Sequence, residues 1–186
     1  MVYDTQERLI LKALVKDPRM SDNKIGKLTR VPIRTVSRKR KKMEQNGMIS
    51  YYVSVKHNGN PKVRHLYLIK FKMGYTRQRL MEETKKEPKV KTIFTEFIYK
   101  SNYAEIDGHT AILMVVEGQT DNEISENFNG KILPAMLINH GDGCIEDIST
   151  IRLSETIRVF HNYLPFINMK NGKIDPKWML ESIYIE

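Results

Sequence analysis

The chain has 186 residues, 40% of them apolar, and a formal charge of +9 at pH 7. That length accommodates one large domain or two small ones, each with its own core. The longest clean apolar run, Ala111 to Val116, is of strand length and well short of the ~20 residues that a membrane span requires.

A single cysteine, Cys144, rules out an internal disulfide or a thiolate metal cluster, and the five histidines (His57, His65, His109, His140, His161) are scattered without ligand spacing. No metal, cofactor or catalytic constellation is therefore expected. Met1 to Arg8 carry Asp4 and Glu7 and lack an apolar signal core, so the expectation is a soluble, cytoplasmic protein. The charge is not spread evenly: residues 1 to 60 hold 14 Lys/Arg against 5 Asp/Glu, whereas residues 61 to 186 hold 17 of each. Seven cations fall between Arg30 and Lys42 with no acid among them. This asymmetry points to a polyanion-binding module joined to a neutral one.

From Asp4 to Val15, the positions Leu9, Ile10, Leu11, Ala13, Leu14 and Val15 give a helix with one broad buried face, stopped at Asp17-Pro18. Ser21 is a good N-cap for a short second helix, whose stripe is Ile25 and Leu28 and which ends near Thr29. Pro32 suits the first turn of a third helix, running through Ile33, Val36 and Met43 to Asn46-Gly47. At about 100° per residue, Ile33 and Met43 lie within about 60° of Val36, whereas Arg34, Ser37, Arg38 and Lys41 lie about 100° to 200° away. One side is apolar and the opposite side basic. On the second member of a helix-turn-helix pair, such a face suits the DNA major groove, where Lys and Arg neutralise phosphates and Arg grips guanine with two hydrogen bonds. The expected contacts are Arg34, Thr35, Ser37, Arg38 and Lys41 in the groove, with Lys24, Lys27, Arg30 and Lys42 on the flanking backbone. Met48 to Lys56 reads as a strand, followed by a turn-rich linker at His57 to Pro61; Lys56 and His57 are further candidates for the DNA backbone, or form a plain hinge.

The segment Asp17-Pro18-Arg19-Met20-Ser21, then Ile25 and Leu28, Thr35-Val36-Ser37-Arg38, Met43-Glu44 and Gly47-Met48-Ile49 resembles the N-terminal domain of the Lrp/AsnC (leucine-responsive, or feast/famine) transcription regulators over residues 4 to 56. Two positions depart from that pattern. Lys39 stands where members usually have Arg, and Arg40 stands where they have an apolar core residue. Arg40 lies about 40° from Val36, so it must snorkel, pair with an acid or tilt the helix.

The remaining chain predicts a strand at Val63 to Met73, a helix at Thr76 to Glu87 on Leu80, Met81 and Thr84, and a strand at Val90 to Tyr99. A polar loop follows at Ser101 to Gly108, then a central strand at Thr110 to Val116 and a helix at Glu123 to Met136 weakened by Gly130 and Pro134. One long or two short strands complete it at Ile145 to Phe160. The expected class is α+β, with an N-terminal winged helix-turn-helix domain and a C-terminal ferredoxin-like (βαββαβ) αβ-sandwich. The expected divisions are 1–50, a strand and linker at 51–62, a dimerisation and effector-type domain at 63–160, and an extension at 161–186. In the extension, Asp175 is expected to cap a short helix from Pro176 to about Ile183 that packs on its own sheet, reaches across a dimer or binds a partner, the first two being favoured. His140-Gly141-Asp142-Gly143-Cys144 reads as a tight turn, or as an anion cradle of backbone N–H groups.

The resemblance implies dimerisation through the C-terminal sheet, assembly up to octamers, and a small effector, typically an amino acid, near a Gly-x-x-Asp motif. Here that motif is Gly108-His109-Thr110-Ala111, without the acid, which argues against an amino-acid ligand. The expected function is a sequence-specific, homodimeric, nucleoid-associated transcription regulator acting on double-stranded DNA. The competing readings are a non-specific architectural DNA binder and a sirohaem-decarboxylase-like enzyme, whose family resembles Lrp/AsnC proteins in both domains.

Overall fold

The computed structural model of the protein describes residues 3–53, 62–86 and 90–185. The chain forms two compact units, Met1–Val55 together with Glu155–Glu186, and Lys56–Ser154.

The first unit opens with helix α1 (Thr5–Lys16), whose start is fixed by a reciprocal cap: the Glu7 N–H donates to Asp4 Oδ1 at 2.8 Å and the Asp4 N–H to Glu7 Oε2 at 3.1 Å. Ser21 caps α2 (Asp22–Thr29), and Arg30 leaves that helix in the left-handed region at φ 59°. Helix α3 (Ile33–Gln45) follows Pro32 and ends before Gly47, which takes φ 68°. Ile10, Leu11, Ala13, Leu14, Ile25, Val31, Val36 and Met43 form the core, with Met48, Ile49 and Ile185 packed at its margin. Two expected core residues lie outside it, since Leu28 is 46% and Ile33 51% exposed. The close approach of α3 at Gly26, where an added Cβ would sit 3.0 Å from the Val31 carbonyl oxygen, puts Gly26 and Thr29 on the inner side of α2 instead.

Residues 48–53 form no strand. No neighbour pairs with them among the described residues, and an unpaired strand leaves its backbone groups to solvent. Met48 and Ile49 pack on the core, while Tyr52 and Val53 are exposed. The expected strand end, the linker, and Lys56 and His57 fall within 54–61, outside the described residues.

Glu155–Glu186 packs against α1. A two-residue hairpin pairs β5 (Met169–Lys170) with β6 (Lys173–Ile174) across Asn171 (φ 49°) and Gly172 (φ 77°). Ile174 and Ile183 are buried, and the buried Asn168 staples the loop by donating to the Asn162 carbonyl and accepting from the Leu164 N–H. The expected helix from Pro176 is replaced by turns and a 3₁₀ turn at Leu180–Ser182. Two contacts account for the change. Asp175 accepts from the Lys177 N–H, two residues on, so it closes a turn and does not cap a helix. The carbonyls of Pro176 and Trp178, which a helix would use internally, accept from the Lys16 ammonium.

The second unit is a four-stranded antiparallel sheet in the order β2-β3-β1-β4, built from β1 (Val63–Phe71), β2 (Ile98–Ile106), β3 (His109–Gly118) and β4 (Ile145–Leu153). This is the ferredoxin-like arrangement, with β3 central as expected and β1 beside it. Helices α4 (Arg77–Lys85), α5 (Ile93–Phe97), α6 (Asp121–Asn127) and α7 (Leu133–His140) complete the unit. Tyr67, Ile69, Phe71, Met114 and Val116 of the sheet pack on Leu80, Ile124, Phe128, Ile132 and Met136, with the Tyr67 and Phe128 rings stacked at 3.6 Å. The opposite face carries Leu66, Leu68, Leu113, Val115 and Ile151, none fully buried.

Several boundaries differ from those expected. Most of the segment read as a polar loop, Ser101 to Gly108, is strand β2, and much of the segment read as a strand is the short helix α5, started by a reciprocal Thr92/Thr95 cap. β2 is an edge strand whose outward residues meet solvent, so its polar composition is compatible with pairing. Its true end is the tight turn Asp107-Gly108, both at positive φ, 50° and 76°. On α4 only Leu80 is buried, and Met81 is 40% exposed. Between α6 and α7 the chain widens into a π segment, Phe128–Ile132, where the Leu133 N–H reaches the Phe128 carbonyl. Pro134 has no N–H to continue the ordinary ladder, and the wider turn absorbs the loss without ending the helix. β4 stops at Leu153, short of Phe160.

Candidate nucleic-acid interface

Arg34, Ser37, Arg38, Lys41 and Lys42 are exposed on α3 and Thr35 is half-buried; Lys24, Lys27 and Arg30 are exposed on α2 and its cap. None of these seven cations forms an ion pair with a described carboxylate. The outward fan matches the angular count made on the sequence.

The inner side of the same helix is also cationic. Lys39, only 9% exposed, binds Asp4 and, at 3.3 Å, Glu7. Arg40 reaches Asp22 at 3.2 Å, Glu44 at 3.0 Å and the Met20 carbonyl at 2.9 Å, with its guanidinium 5.8 Å from the Tyr51 ring centre. Pairing with acids is therefore how Arg40 is accommodated on the buried stripe. Tyr51 donates to Glu44 at 2.8 Å. The hydrogen bond from Lys39 holds the Asp4 carboxyl below its ordinary range, and the same bond raises Lys39. Tyr51 first, and then Arg40, lower Glu44. The last acid of this stretch, Asp17, is taken by Lys173 of the C-terminal segment at 2.7 Å.

All five carboxylates of residues 3–53 are thus engaged by Lys39, Arg40 or Lys173, and none pairs with a cation of the outer face of α3. A net positive field remains on that face, with guanidinium and hydroxyl donors projecting from a rigid rod whose other flank is anchored in the core. Such a surface neutralises phosphates and offers donors to base edges.

The C-terminal segment completes the support of this module. Tyr163 donates to the Val15 carbonyl at 3.0 Å, Lys12 to the Glu181 backbone carbonyl at 3.3 Å and Lys16 to the Pro176 carbonyl at 3.0 Å. The composition of that segment did not disclose this role, although Asn171-Gly172 is a legible hairpin signal.

In the second unit, Gly108 to Ala111 lies at the start of β3, and Ala111 is fully buried. His109 lies 2.9 Å from the Phe71 carbonyl and 3.0 Å from Glu146, which also pairs with Lys70 at 3.2 Å. His140 to Cys144 forms a tight turn, with Gly141 and Gly143 at φ 101° and 70°, tied to the end of β1 through the Lys72 N–H and the Cys144 carbonyl. Among the described residues there is no group of three metal-ligating side chains, and no helix is long and apolar enough to cross a membrane.

Residues 3–50 match the family model for winged helix-turn-helix DNA-binding domains. No curated protein matches the sequence. Among solved structures, the chain is similar to AsnC of E. coli, with 17% identity and a TM-score of 0.61 over 86% of this chain and 97% of that one. It is similar to LrpC of B. subtilis, with 19% identity and a TM-score of 0.57 over 85% and 99%. A transcriptional regulator from Neisseria meningitidis, solved in complex with L-Met, has 16% identity and a TM-score of 0.59 over 85% and 94%. The N-terminal residues are a winged helix-turn-helix DNA-binding domain, and the chain as a whole has the fold of the Lrp/AsnC regulators.

Proposed function

We propose that this chain, built on the Lrp/AsnC fold, is a transcription regulator that binds duplex DNA sequence-specifically as a homodimer, with α3 in the major groove. Arg34, Thr35, Ser37, Arg38 and Lys41 contact base edges and adjacent phosphates, while Lys24, Lys27, Arg30 and Lys42 hold the flanking backbone. The observation that carries this reading is the sorting of charge on one module: seven cations face outward without an acid, and every nearby carboxylate is engaged elsewhere. The partly covered apolar sheet face around Leu66, Leu68 and Leu113 supports a second copy as its cover. The Neisseria relative's L-Met is not carried over, because Ala111 stands where the resemblance would require an acid.

Binding of a selected operator by single-residue variants tests this. Arg38→Ala is expected to cost about 1–3 kcal/mol and relax base preference at one position per half-site, whereas Lys42→Ala weakens all duplexes alike. Unchanged affinity and preference in Arg38→Ala would refute the groove assignment.

A further inference from the structure

We infer that Ile33 reads the C5-methyl group of a thymine in each half-site. This rests on the reading of α3 as the recognition helix. Ile33 is the first residue of α3, in the turn that brings side chains to base edges in helix-turn-helix proteins. It is an aliphatic residue 51% exposed beside exposed Arg34, with Ser37 one turn further along the same flank. Its direction is fixed from behind. A Cβ added at Gly26 would come within 3.3 Å of Ile33 Cγ1, so the absence of a side chain at Gly26 is what seats the isoleucine there. About half of the residue stays exposed at the N-terminal end of α3. Phosphates and base-edge donors or acceptors offer nothing to such a group; the apolar feature of the major groove is the thymine methyl.

The test uses the full chain and an operator obtained by in vitro selection. Thymines are replaced by deoxyuracil one position at a time, symmetrically in both half-sites, which removes the methyl group and leaves every hydrogen bond in place. The native chain is expected to lose about fourfold in affinity per half-site at one position, the equivalent of one buried methyl group. Ile33→Ala should bind the thymine and uracil operators alike, Ile33→Val should keep part of the discrimination, and Leu28→Ala, at the exposed aliphatic residue of α2, should keep all of it. Circular dichroism reports the fold of each variant; if Ile33→Ala is unfolded, reduced discrimination in Ile33→Val decides. A native chain that binds the operator but is indifferent to every replacement overturns this inference alone, as does discrimination that survives in Ile33→Ala or is lost in Leu28→Ala. A native chain that retains no duplex at all overturns the DNA-binding reading itself.

Discussion

Neighbouring cations on α3 have opposite assignments, and the difference is one of direction. Arg38 projects to solvent, while Lys39 and Arg40 turn inward onto four carboxylates. Arg40→Ala should therefore destabilise the first unit by about 1–2 kcal/mol, by removing charge-assisted hydrogen bonds to Met20, Asp22 and Glu44. Arg38→Ala should leave the urea midpoint unchanged and affect only DNA binding. The two units also differ in pH response. Asp4 and Glu44 titrate below their ordinary values when folded, so their contribution is complete above about pH 5 and is lost as pH falls through the lowered values. Burial lowers the pKa of His140, whose Nδ1 lies 2.6 Å from the Tyr75 hydroxyl. The unfolded chain then takes up a proton below about pH 6.5 that the folded chain resists at this residue, so the contribution of His140 to the stability of the second unit falls from pH 6.5 downward. Titration of the His140 ring signals by NMR should show a midpoint below 6.5. The angular count placed Arg40 inward, but it could not supply its partners, which are Glu44 one turn along the same helix, Asp22 on α2 and the Met20 carbonyl just before it. Lys39 stands in the cation run without an assigned direction in the sequence reading, although the Asp4-x-x-Glu7 cap that receives it is visible in the sequence.

At the scale of elements, local signals located what local forces decide. The three N-terminal helices fall where Asp4, Ser21, Pro32 and Gly47 put their ends, because caps and proline act within a turn. β2 was displaced because an edge strand needs only pairing, and its polar residues look like a loop until the Asp107-Gly108 turn is weighed as a hairpin. The C-terminal segment was illegible for a different reason. Its hydrogen bonds to α1 join residues 148 to 169 positions apart in the sequence, and no periodicity reports that distance. Its contribution can be measured: Ile183→Ala, at a site 1% exposed, should cost about 2–4 kcal/mol and lower the unfolding midpoint of the unit that contains α3. A tail that merely lay on the surface would leave that midpoint unmoved.

At the scale of the whole molecule, the division of labour follows from charge. All of the net +9 resides in the first 60 residues, and the internal pairing of their acids turns it into a directed field. In the proposed homodimer the two copies meet on the apolar face of the sheet, and a two-fold pair of α3 helices would address half-sites about one DNA turn, ~34 Å, or a multiple of it apart. The most direct measurement is the affinity of the full chain for a selected operator and for random duplex over a salt series. This account predicts that both affinities fall steeply as salt rises, with the operator, a pseudo-palindrome, held at least about a thousandfold tighter at physiological salt. Equal affinity and equal salt slope on the two duplexes would contradict sequence-specific recognition, and no binding at low salt would contradict the assignment of α3 altogether.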